Sequence, residues 1–145
     1  MKAIPSVASY LVHRYTEYWL KLGCSEELLK NLFAQHYPHL TDSHYRVPGN
    51  VLAHAYRQVS KELSEPLLGV KTGLFHIPGS LGVIGTLTST SEDIKMALCC
   101  GIRFFDILSQ SYECTFHENQ EGGTLRVFPL DGVDVSHHQI DAFLS

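Results

Sequence analysis

At 145 residues the chain has the length of one domain, enough to bury about two-thirds of its unfolded surface, and a second full domain would not fit. Apolar residues at 44% and charged residues at 18% match an ordinary globular composition, which excludes disorder. Lys and Arg number 11 against 15 Asp and Glu, a formal charge of −4. That is the wrong sign for gripping phosphate backbones unaided.

From Pro5 to Leu22 the residues Val7, Leu11, Tyr15, Tyr18 and Leu22 recur at helical spacing, with Pro5 suited to the first turn and Gly23 to the stop. Ser25 offers an N-cap ahead of Glu26 and Glu27, and Leu28, Leu29, Leu32 and Phe33 give a short second helix one apolar side. The polar segment Tyr37 to Tyr45 predicts a loop. Pro48 restarts a helix carrying Val51, Leu52, Ala55, Val59 and Leu63, which Pro66 closes. A short helical turn, Leu67 to Phe75, follows, and His76, Ile77, Pro78 and Gly79 mark a change of direction.

Val83, Ile84, Thr86, Leu87 and Thr88 have the content of a buried strand, with Gly82 and Gly85 leaving room for a close neighbour. Ser89 with Glu92 and Thr90 with Asp93 each fit a capping box. The helix they start is expected to bury Ile94, Ala97, Leu98, Gly101, Phe105 and Leu108. Tyr112 to Glu118 and Thr124 to Phe128 alternate around Gln120 to Gly123 as a β-hairpin. Asp131-Gly132 is a turn, and Ser136 caps a last helix with Ile140, Phe143 and Leu144, which reads as cut off by the chain end. The prediction is an α+β fold: about four helices, then a strand-helix-hairpin unit forming a small sheet.

No apolar run reaches bilayer length, and the opening MKAIPSVASYLVHRYTEYW lacks the apolar core and cleavage site of a signal peptide. A cytoplasmic location without membrane contact is expected, with Cys24, Cys99, Cys100 and Cys114 reduced. The series Gly79-x-x-Gly82-x-x-Gly85 is neither a dinucleotide fingerprint nor a P-loop, and close packing is its expected role. His36, His39, His44 and Asp42 form the densest group of metal-ligating types, but Pro38 breaks helical ligand spacing and no cysteine is near. His137-His138 is weaker, since neighbours on a helix diverge by about 100°. No metal or cofactor is expected. Cys99, four residues from both Lys95 and Arg103, is a candidate reactive thiol, with a small buried hydrophobe as the competing role. No nucleophile elbow is present, so no catalytic residues are assigned. The residues near the central unit able to hold a ligand are His76, Ser80, Thr86, Thr88 and Arg103 as polar groups and Phe105 as an apolar wall.

The opening helix ASYLVHRYTEYWLKLGCSEELL, the RVP at Arg46 to Pro48, LGVKTG at Leu68 to Gly73, and GSLGVIGTLTSTSEDIKMAL with Phe104-Phe105 together resemble the N-terminal domain of AraC-type transcription regulators, the type labelled arabinose-binding. The resemblance implies a domain over residues 1–145 that senses a small organic effector and helps form a homodimer, while a separate C-terminal pair of helix-turn-helix units, expected after Ser145, reads DNA. An α-rich order differs from the cupin-like barrel of a true arabinose sensor, so the arabinose label is not carried over; Leu81, Val83, Ile84, Leu98, Ile102 and Phe105 around the central unit point instead to a partly apolar or amphipathic effector. A dimerisation or interaction module without ligand is the alternative.

Overall fold

The structure is a computed structural model that describes residues 4–76 and 78–145. Ile77, part of the expected change of direction, lies outside them. Among the described residues there are eight α-helices and two antiparallel two-stranded sheets, so the fold class is α+β as expected.

The first surprise is at the front. Ser6–Ala8 forms strand β1 instead of a first helical turn and pairs with β2, Arg46–Pro48, placing Val7 opposite Val47, both buried. Between them lie α1 (Ser9–Lys21) and α2 (Glu26–Phe33). Gly23, at φ +101°, supplies the left-handed turn between these helices. Ser25 caps α2 by accepting from the Leu28 N–H at 3.2 Å. The expected loop after it begins as a 3₁₀ helix, Ala34–His39.

Arg46 anchors the small sheet to a distant part of the chain. Its Nε donates to Ser6 Oγ (2.8 Å), Nη2 to the Ser6 carbonyl (2.9 Å), and Nη1 to the Ile107 carbonyl (2.8 Å). The last contact satisfies a free carbonyl at the C-terminal end of a short helix, α7 (Phe105–Leu108), where a cation is favoured. Arg46→Ala is expected to lower stability by about 2–3 kcal/mol. Arg46→Lys should recover less than half, because an ammonium cannot reproduce the planar fork. Urea titration of the three proteins checks this, and full recovery by lysine would show that charge alone matters.

Helix α3 (Gly49–Glu62) buries Leu52, Ala53, Ala55, Tyr56 and Val59. With Trp19, Leu29, Phe33 and Leu68 they form the core, which sits between α1, α2, α3 and α4 (Leu68–Phe75). The last helix, α8 (His137–Leu144), is fixed by a capping box: Ser136 Oγ accepts from the His138 N–H and Gln139 Oε1 accepts from the Ser136 N–H at 2.9 Å. It lies unusually close to α4. A Cβ on Gly69 would stand 2.3 Å from the His138 carbonyl oxygen, and one on Gly73 would stand 2.4 Å from that of Ala142. These two glycines, one helical turn apart, permit the backbones to touch.

Two expectations fail in the central unit. The stretch expected as a strand, Val83 to Thr88, is helix α5 (Gly82–Ser89). Its hydroxyls explain why: Thr86, Thr88 and Ser89 donate to the carbonyls of Gly82, Ile84 and Gly85, each four residues back. Among the described residues it joins neither sheet, since β1 pairs with β2 and β3 (Tyr112–Asn119) with β4 (Gly122–Pro129), so its β propensity meets no ladder. The next helix, α6 (Ile94–Arg103), starts at the Asp93 end of the expected overlap, Asp93 accepting from the Met96 N–H at 2.7 Å. It buries no residue fully, and Ile94 is 80% exposed. The chain bends at Phe104, so Phe105 and Leu108, expected on α6, are buried from α7 instead. The hairpin runs as expected from Tyr112↔Pro129 to Asn119↔Gly122, its turn tied by Asn119 Oδ1 accepting from the Glu121 and Gly122 N–H groups.

Candidate functional site

The six residues singled out as ligand-holding do not converge on one place. His76 and Ser80 meet, Ser80 Oγ lying 3.3 Å from His76 Nδ1, and the imidazole packs on Tyr15 with ring centres 5.0 Å apart. Burial, helped by the Arg14 charge, pushes the His76 pKa down to about 4. The ring is therefore neutral at physiological pH, and its buried Nε2 has no hydrogen-bond partner. Thr86 and Thr88 use their hydroxyls on their own helix. Arg103 is exposed and lies over the Phe104 ring at 5.5 Å.

Phe105 stands elsewhere, buried against Tyr112 (5.0 Å) and edge-on to Phe143 (4.7 Å). It forms a wall of a cleft of about 590 Å³, with Ile102, Tyr112, Cys114 and Leu130 as apolar neighbours and Asp106, Gln110 and Glu113 as polar ones. That volume falls in the ordinary range for small-molecule sites. A second cleft of about 780 Å³ shares Pro5 and Leu130 with it and adds Asn50, Asp131 and Asp134. Asp134 is held by Arg57 through paired contacts of 2.8 and 2.6 Å, which lower its pKa.

Of the residues lining this cleft, the sequence singled out Phe105 and not Asp106, Gln110 or Glu113. Asp106 follows the aromatic pair directly, and Glu113 is the outward residue of the Tyr112-Glu113-Cys114 alternation. What hid them was the break at Phe104, which turns α7 towards the hairpin.

The thiols differ by position. Burial and the Glu62 carboxylate, 3.1 Å away, push Cys24 up to about 12, and burial pushes Cys114 up to about 11, so both are inert. Cys99 is exposed and Cys100 half-buried. Of the loop histidines, His36 Nδ1 meets the Tyr45 hydroxyl at 2.7 Å and His39 stacks on the same ring. Among the described residues no helix is long and apolar enough to cross a membrane.

The family described as the arabinose-binding domain of AraC transcription regulators, N-terminal, matches residues 36–144. The chain belongs to that family. It is thus a regulator's ligand-sensing N-terminal domain, which places it in transcription regulation and effector binding and points away from enzymes. No curated protein matches it. The matched span takes in β2 and α3 to α8, with His76, Ser80 and every lining residue of the Phe105 cleft but Pro5, while β1, α1 and α2, and with α1 the Tyr15 that packs on His76, precede it.

Proposed function

We propose that this AraC-type domain binds a small organic effector in the Phe105 cleft and, as a homodimer, governs DNA binding by a separate C-terminal domain of the same regulator. The observation that supports it is the cleft's lining, which combines the apolar Ile102, Phe105, Tyr112 and Leu130 with the polar Asp106, Gln110 and Glu113. An amphipathic ligand with a donor-rich or cationic head fits that pairing, apolar body against Phe105 and Tyr112, head towards the carboxylates. His76 and Ser80 provide a second polar point beside Tyr15. Effector binding favours one seating of α6 and α7 against the hairpin, and this differential affinity shifts the regulator between its states.

Thermal shift of the protein against amino acids, amines, fatty acids and aromatic acids tests the reading. A ligand at 100 times its Kd adds about 2.7 kcal/mol, roughly 5–10 °C for a chain of this size. Amphipathic amines or amino acids are expected to stabilise, and Glu113→Gln is expected to weaken the shift. No stabilisation by any class would count against sensing at this cleft.

A purely structural dimerisation module is favoured by one observation. Helices α5 and α6 expose Val83 (72%), Leu87 (37%), Ile94 (80%) and Met96 (46%), a density of large apolar side chains that solvent does not favour. Such a face serves the dimer of a sensing domain equally, so ligand-induced stabilisation decides between the readings.

A further inference from the structure

We propose that the first turn of α8 is a binding site for a divalent first-row transition cation of the zinc type, with His137, His138 and Asp141 as its ligands. Among the described residues this is where three metal-ligating side chains come together, with one candidate donor atom from each lying within 4.8 Å of the others. Adjacent residues on a helix ordinarily point apart. Here the two imidazoles lie with centres 3.9 Å apart, tilted by 41°, and Asp141 follows one turn later on the same side, the spacing at which helical side chains meet.

A second observation is independent of that spacing. His138 is 3% exposed, packed at 6.0 Å on Tyr56, and its Nδ1 is buried without a hydrogen-bond partner. A buried ring nitrogen without a partner is uncommon in a folded protein, and the rigid setting means that one ligand needs no ordering. Exposed His137 and half-buried Asp141 retain the torsional freedom to close in. With metal–nitrogen bonds of about 2.0–2.1 Å, tetrahedral donors stand roughly 3.3 Å apart, so closure asks for side-chain rotation only.

The donor set decides the class. Two imidazoles and a carboxylate suit zinc, cobalt or nickel, whereas magnesium and calcium prefer all-oxygen shells and copper(I) prefers sulfur. Three protein ligands leave a coordination position for water or a small anion. The site is also well placed to be felt, because the His138 carbonyl is the group that presses on Gly69. A bound cation would brace the first turn of α8, the turn whose backbone lies against Gly69 of α4. The inference does not depend on the effector cleft.

The test titrates the protein, made without a histidine tag and dialysed against chelator, with Co²⁺ followed by its d–d absorption and with Zn²⁺ by calorimetry. Binding is expected to saturate at one metal per chain, and Zn²⁺ but not Mg²⁺ should raise Tm. His137→Ala and Asp141→Asn alter groups that are not buried and should keep the fold by circular dichroism while weakening binding at least about tenfold. The double variant His36→Ala/His39→Ala should bind as the parent does. Absence of Co²⁺ and Zn²⁺ binding overturns the proposal, as does affinity unchanged in both α8 variants.

Discussion

Replacing Gly69 with alanine is expected to destabilise the domain by about 3 kcal/mol, although alanine is the better helix former by roughly 1 kcal/mol. The added Cβ would meet the oxygen, Cα and carbonyl carbon of His138 at 2.3, 2.6 and 2.8 Å. All three are backbone atoms, so no side chain can swing aside. Relief requires α8 to retreat from α4 by about an ångström, loosening contacts along both helices, and overpacking of that kind typically costs about 1–3 kcal/mol or more. The melting temperature should fall by roughly 10 °C. Leu74→Ala, at a site on the same helix that is 68% exposed, should stay within about 0.5 kcal/mol. A melting temperature for Gly69→Ala equal to or above the parent's would mean that the helices do not touch as described.

Trp19→Ala should be costlier still, about 4–5 kcal/mol. The indole is fully buried, lies edge-on to Tyr56 at 4.8 Å and stacks on Tyr15 at 6.2 Å. Removing so large a side chain from a core costs about 3–5 kcal/mol through lost transfer energy and the cavity. Its Nε1 also donates to Thr72 Oγ1 at 3.1 Å, a bond worth about 1 kcal/mol. Thr72 keeps its own donation to the Leu68 carbonyl, so no donor is orphaned. Trp19→Phe should recover about half. Because Trp19 is the only tryptophan, its fluorescence disappears with it, and unfolding must be followed by circular dichroism in urea. A lowered midpoint with an unchanged slope is the expected signature of a lost core contact.

What the letters revealed depended on how local the deciding interaction is. Ser25, Gly23 and Ser136 act within a few residues of themselves, and the helix ends they set were legible. The hairpin was equally plain, because Asn119 organises its own turn. By contrast β1 and β2 have three residues each, too short for a periodic signal, and each exists only because the other lies beside it. The threonine-rich stretch of α5 misled for a related reason. Its composition suits a strand, but it joins neither two-stranded sheet, and its hydroxyls find carbonyls within one turn. Phe105 was legible as an apolar wall, whereas the carboxylates beside it required the bend at Phe104 to be seen. Ideal helix geometry sets the His137 and His138 side chains about 100° apart, whereas their ring centres lie 3.9 Å apart, with His138 packed on Tyr56.

Strand β1 bears on how the chain gets to its final shape. The Gly49 N–H donates to the Pro5 carbonyl and the Gln110 N–H to that of Ser6, both at 2.9 Å, so a few residues near the start are stitched to partners about forty and one hundred positions downstream. Closing loops of that length carries an entropic cost that contacts nearer in sequence do not, so these bonds depend on the rest of the fold to hold their ends together. Amide protons along this seam are then exposed to exchange by any opening that releases α7, which ties the mobility of the leading strand to the element that forms one side of the cleft.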